Sequence, residues 1–295
     1  MDLPYSTDEL IIVSIAREIK DGFLVVEGIN TTLPTAAYRL ARLTHAPQAT
    51  FLSLAGNVYV NDPLKLCFAL EEQEALNHSI GFQGSAVPPL YTTYRHDFEM
   101  LRSAQIDQFG NVNSTVIGDF SNPKVRLPGI SGVLDVYSLC NQLKLYFPRH
   151  TRRIFVEKVD FVSAMGYGDG SAQARAGMLG SGPYKVITNL GIFGFDQESK
   201  AMKLLSLHPG VTEDDVRQNT AFELIIPEAV SETEPPSVHE IELIRTQIDP
   251  LGLRAIESAS GAERLAVLRR ILERENELVE TGEWRAPIEQ TTNDA

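Results

Sequence analysis

Residues 6–54 read STDELIIVSIAREIKDGFLVVEGINTTLPTAAYRLARLTHAPQATFLSL. Ser6 and Glu9 stand in the spacing of a capping box, and Leu10, Ile11, Ser14, Ile15 and Ile19 follow at helical intervals. Asp21-Gly22 ends that helix, and Phe23 to Val26 is a short apolar strand. Thr31, Thr32 and Pro34 predict a second helix, with the proline in the first turn where its missing N–H costs nothing, running to about Leu43. His45-Ala46-Pro47 interrupts, and Thr50 to Leu54 reads as the next strand. A strand–helix–strand unit of this kind implies parallel pairing through a right-handed crossover, and therefore an α/β fold.

Outward from this unit the pattern is less even. Residues 99–106 and 112–118 are expected strands around a turn at Gly110, and Leu143 to Phe147 and Ile154 to Val162 are strands on either side of a basic stretch, Arg149 to Arg153. Gly166 to Gly182 is rich in Gly, Ala and Ser and reads as a long surface loop. Tyr184–Thr188 and Gly191–Phe195 form a hairpin pair, and Thr212-x-x-Asp215 caps a helix ending near Asn219. Val238 to Ile248 is a helix with Ile241, Ile244 and Ile248 on one face. Residues 260–280 form an amphipathic helix with Leu265, Leu268, Ile271, Leu272 and Leu278 apolar, either a solvated surface element or an inter-subunit contact. After Trp284 the chain is polar and expected to fray. No repeat of 20–50 residues is present.

The chain has 295 residues, 43% of them apolar, enough to bury a sizeable core. Its 26 basic and 39 acidic residues give a net charge of −13, which argues against general binding to nucleic acid or to anionic membranes. No apolar run is long enough to span a bilayer, the acidic N-terminus lacks the order of a signal peptide, and two cysteines fit a reduced, cytoplasmic chain. No spacing matches a structural zinc site.

Individual residues say little about chemistry. Cys67 and Cys140 lie in apolar surroundings without a nearby histidine and read as buried thiols. His208, beside Pro209 and Gly210, reads as a structural turn histidine. No carboxylate stands at an apolar strand end where burial would raise its pKa, and Glu27 comes closest. Two loops are more informative. In residues 104–113, AQIDQFGNVN, the amides of Gln105, Asn111 and Asn113 donate and accept at once and suit a polar ligand, although Asp-x-x-Gly-Asn is also an ordinary hairpin turn. In residues 128–133, PGISGV, small residues would let an oxyanion or phosphate approach the backbone N–H groups.

Taken together, AQID-x-x-GN-x-N, then Lys124-x-Arg126, then PG-x-SG-x-x-D closely resemble the β subunit of the glutaconate type of class I CoA-transferases. The likeness runs from about residue 8 to about residue 250 and is also dense in residues 152–162, RRIFVEKVDFV, and 189–222. It implies an open, mostly parallel sheet with helices on both faces over residues 1–251, followed by a C-terminal helical extension over 252–295. It implies an obligate α subunit of the same family in an α2β2 assembly, an acyl-CoA substrate, and no cofactor beyond the coenzyme A of that substrate. Gly129, Ser131 and Gly132 then become the oxyanion loop, and Asn30, Thr31, Leu54, Gly56, Asn57, Gln105, Asn111 and Asn113 the substrate side. Lys124 and Arg126 become candidates for the CoA phosphates.

One departure decides the expected chemistry. Where the transferases carry the glutamate that attacks the thioester, this chain has Leu54, which has no nucleophile. The family's Gly-x-Gly turn reads Asn30-Thr31-Thr32. Members without the glutamate resemble two groups, ring-cleaving CoA-ester hydrolases of steroid breakdown and decarboxylases of glutaconyl-type CoA esters. Leu54 and the Tyr167-Gly168-Asp169-Gly170 loop favour the hydrolases, with C–C bond cleavage through an enolate. Decarboxylase, transferase and non-catalytic scaffold subunits are the alternatives.

Overall fold

The computed structural model describes residues 4–28, 31–82, 97–140, 143–170, 180 and 182–288. The chain divides into two compact units, one of residues 87–235 and one of 2–86 with 236–295. The division follows other lines than a boundary at residue 251, because residues 252–295 belong to the same unit as the N-terminal strands.

That unit begins with the capped helix α1 (Thr7–Ala16), where Ser6 Oγ accepts the Glu9 N–H and Glu9 accepts the Ser6 N–H. Leu10, Ile11, Ile12, Val13, Ile15 and Ala16 are all buried, so the helix is enclosed on every side. Strand β1 (Leu24–Glu27) leads through α2 (Thr32–Thr44) to β2 (Thr50–Ser53), and β1 and β2 are parallel with Glu27 beside Ser53. The expected strand–helix–strand unit is thus present. Strands β3 (Val58–Val60) and β4 (Ser79–Phe82) extend it antiparallel, with helix α3 (Glu71–Asn77) between them.

In the other unit, β5 (Phe98–Leu101) is followed by two short hairpins, β6 (Gln105–Ile106) with β7 (Val112–Asn113) and β8 (Val116–Gly118) with β9 (Pro123–Arg126). Helix α4 (Val133–Leu139) precedes β10 (Leu143–Phe147), which pairs in parallel with β5 on one side and with β11 (Lys185–Thr188) on the other. Strands β12 (Gly191–Phe195) and β13 (Met202–Leu207) continue antiparallel. Helix α5 (Glu213–Asn219) carries the expected Thr212–Asp215 capping box, and β14 (Ser231–Glu232) pairs with β13. The core gathers Leu145, Phe147, Phe155, Phe193 and Leu204. Residues 154–162 differ from expectation: they contribute a single bridge, Phe155 to Ile106, and then turns, because their backbone is used to hold β6.

The chain returns to the first unit with α6 (Val238–Glu242), which widens into π-helical turns over Leu243–Ile248, with Ile241, Ile244 and Ile248 buried as expected. Helices α7 (Ala255–Ser258) and α8 (Gly261–Glu280) follow. Buried Glu9 ties this segment to α1 through Arg245 (2.7 Å) and Arg254 (3.3 Å). The segment after Trp284 is not frayed as far as it is described. Ala286 and Ile288 are buried, and the backbone of residues 286–288 bonds to that of residues 63–65. No helix of the described residues is long and apolar enough to cross a membrane.

Candidate functional site

The candidate residues fall in both units, and each set is described within its own unit. Leu54 follows the last residue of β2, half-buried, and its N–H bonds to the carbonyl of Glu27 at 3.1 Å. A turn over Leu54–Asn57 follows, with Asn57 at φ +53°. Gly56 is packed closely: a Cβ there would sit 3.1 Å from Val58 and 3.4 Å from Ala75. Thr31 precedes α2, and its hydroxyl donates to the Gly28 carbonyl at 2.8 Å. Asn30 lies outside the described residues.

A recess opens at the carboxyl ends of β1 and β2, lined among others by Thr31, Glu27, Ser53, Arg39 and Glu71. Glu27 and Arg39 form a buried ion pair at 2.6 Å. The Arg39 guanidinium also lies over the Phe51 ring (4.5 Å) and donates to the Leu64 carbonyl. Glu71, the first residue of α3, makes no hydrogen bond or ion pair among the described residues. Burial, and then the charge of Glu27, push its carboxyl up to about 7, against the pull of Arg39. The same recess holds Cys67, a buried thiol whose pKa burial raises.

In the other unit the three amides come together as expected, but they are engaged with the protein itself. Asn113 is fully buried; its Nδ2 donates to Gln105 Oε1 (2.8 Å) and the Val116 carbonyl (2.6 Å), and its Oδ1 accepts the N–H groups of Thr115 and Val116. Asn111 Nδ2 donates to Asp107 and to the Gly168 carbonyl, while its Oδ1 accepts from Gly166 and Gly168. Gln105 bonds to both the backbone and side chain of Asp160. These side chains hold the loop of residues 160–168 against the hairpin, and none leaves an amide group in the open. Gly166 must be glycine here, since a Cβ would fall 2.4 Å from the Phe109 carbonyl.

The loop of residues 129–132 keeps free donors. The Gly129 N–H is bonded to the Ser114 carbonyl (3.0 Å), but the N–H groups of Ser131 and Gly132 make no hydrogen bond among the described residues. Both residues are exposed just before α4, and Ser131 is held at φ +48°, a left-handed conformation that a serine adopts only under local constraint. Lys124 and Arg126 are exposed on β9; Arg126 stacks over Phe120 at 4.7 Å and donates to its carbonyl.

Two further groups qualify the sequence reading. Glu99, in the middle of β5, is buried and pushed up to about 8 by burial, so a carboxylate does stand in an apolar strand. The flanking residues, Phe98, Met100 and Leu101, were the available signal. His208 is structural: its Nε2 donates to the Thr188 carbonyl (2.7 Å), its Nδ1 accepts from Thr233, and burial lowers its pKa to about 4.

A family model for coenzyme A transferase matches residues 96–219. The chain is 34% identical over 249 residues to the β-type subunit of the 3-oxoadipate CoA-transferase of Pseudomonas knackmussii, a match that covers 82% of this chain and 92% of that protein. It is 32% identical over 249 residues to the cholesterol ring-cleaving hydrolase IpdB subunit of Mycobacterium bovis, covering 83% and 96%. The crystal structure of the decarboxylase AibA/AibB is similar at 27% identity and a TM-score of 0.74, covering 86% of this chain and 99% of that one. Identity at this level over most of both chains, with the α/β architecture above, places this chain in the coenzyme A transferase family.

Proposed function

We propose that this chain is the β-type subunit of a heteromeric enzyme that adds water across a carbon–carbon bond of an acyl-CoA thioester, by way of an enolate. Its obligate partner is an α-type subunit of the same family in an α2β2 assembly. The single observation behind this reading is Leu54 at the end of β2, where the covalent route of a transferase needs a carboxylate. A site without that nucleophile is suited to reactions that stabilise an enolate beside the thioester carbonyl. The free N–H groups of Ser131 and Gly132 are the donors this chain offers for that charge. Relatives named as a transferase, a hydrolase and a decarboxylase bracket the chemistry. The net charge of −13 repels coenzyme A at long range, so its phosphates need a local cation, and the exposed Lys124 and Arg126 supply it.

The test is product analysis with the purified two-subunit complex. Hydrolysis consumes the CoA ester with water alone, releases no carbon dioxide, and needs no acyl acceptor. Carbon dioxide release would make the protein a decarboxylase, and turnover only with a second acid would make it a transferase. No turnover on any CoA ester would leave a scaffold.

A further inference from the structure

The C-terminal helix α8 has two faces with different roles. Twenty residues make it about 30 Å long. One side anchors it: Ile271 is fully buried, and the Glu275 carboxylate accepts the N–H groups of Phe68, Ala69 and Leu70 at 2.9–3.1 Å, closing the start of α3. The other side carries Leu265, Leu272 and Val279, which are 60%, 37% and 45% exposed. They are spaced seven residues apart, so they form one row along the helix, the spacing of a coiled-coil seam.

The charges around this row are segregated. Before Leu272 the helix carries Glu263, Arg264, Arg269 and Arg270, a net of +2; after it come Glu273, Arg274, Glu275, Glu277, Glu280 and Glu283, a net of −4. Arg274 is paired with Glu277 on its own helix. Arg264, Arg269, Arg270, Glu273, Glu280 and Glu283 have no ion-pair partner among the described residues. A helix that is basic on one side of a central leucine and acidic on the other complements itself only when reversed.

We propose that α8 binds a second copy of itself, antiparallel, with the two-fold axis at Leu272. Leu265 of each copy then meets Val279 of the other, Leu272 meets Leu272, and Arg264 faces Glu280. A parallel arrangement would set arginines against arginines and glutamates against glutamates. The contact is self-complementary and closes at two copies. It would join two αβ pairs through this chain, and it stands whatever reaction the complex catalyses.

Cysteine cross-linking in the assembled complex tests this. Both native cysteines are buried, so Leu272→Cys adds the reactive thiol. Under mild oxidation it should give a disulfide between two copies of this chain, as should Leu265→Cys combined with Val279→Cys. Sedimentation provides the second readout. Leu272→Glu should halve the mass of the complex, Arg264→Glu should weaken self-association about tenfold or more, and adding Glu280→Arg should restore it. A cross-link to the other subunit, no cross-link at all, or a Leu272→Glu complex of unchanged mass would overturn the proposal.

Discussion

The amide-bearing hairpin of residues 105–113 and the recess around Glu27, Arg39 and Glu71 are both polar and largely buried, yet they are built in opposite ways. In the hairpin each amide meets backbone or side-chain partners, and Asp107 accepts from the Phe109 and Asn111 N–H groups as well. Burial raises the Asp107 pKa, and those bonds hold the rise back. In the recess one ion pair is closed, Glu27 with Arg39, while Glu71 stands beside it without a bond. A saturated network fixes a shape. A buried carboxylate left open costs stability, and is the kind of group that active sites keep.

Three substitutions sharpen this contrast. The largest effect is expected for Arg39→Met, which leaves Glu27 buried and uncompensated and should cost about 3–5 kcal/mol. A denaturant midpoint close to that of the unaltered complex would mean that water reaches Glu27. Next comes Asn113→Ala, which strips partners from Gln105 and from three backbone groups in a fully buried position. It should cost about 2–4 kcal/mol, with loosened hydrogen exchange over residues 105–118. A loss confined to ligand affinity would return Asn113 to the substrate side.

The smallest effect, and the one of opposite sign, is Glu71→Gln. The folded carboxyl loses its proton near 7 and the unfolded one near 4.5. The folded state therefore binds the extra proton between those values, and stability contributed by Glu71 falls as pH rises from 4.5 to 7 and stays lost above. The glutamine variant should match the unaltered protein at about pH 4 and exceed it at about pH 8, by about 1–2 kcal/mol once partial exposure is discounted. Thermal unfolding at the two pH values decides this, and a variant that is less stable at the higher pH would show that Glu71 is paired.

Much of the fold was legible because it rests on local chemistry. Ser6 with Glu9 and Thr212 with Asp215 form reciprocal caps, and the apolar runs around residues 24–27 and 50–53 pair as parallel strands. Where distant segments decide, sequence alone misled. The polar segment after Trp284 is fixed by Ala286 and Ile288 against residues 63–65, and the apolar residues of 154–162 serve the hairpin rather than a strand of their own. At the site, spacing drew Gln105, Asn111 and Asn113 together but did not reveal that Asp160, Gly166 and Gly168 would take up their amides. Glu71 was lost in a run of acidic residues, since nothing local distinguishes it from the exposed Glu72. Its surroundings come from β1 and α2.

The central claim is that Leu54 has removed the covalent route from this chain. The direct measurement is mass spectrometry of the complex after incubation with acyl-CoA and trapping by borohydride or hydroxylamine. The unaltered chain should carry no adduct, and Leu54→Glu should acquire one at residue 54, as a glutamyl–CoA thioester intercepted on the new carboxylate. An adduct on any Asp or Glu of the unaltered chain would contradict the account and return the protein to the transferases.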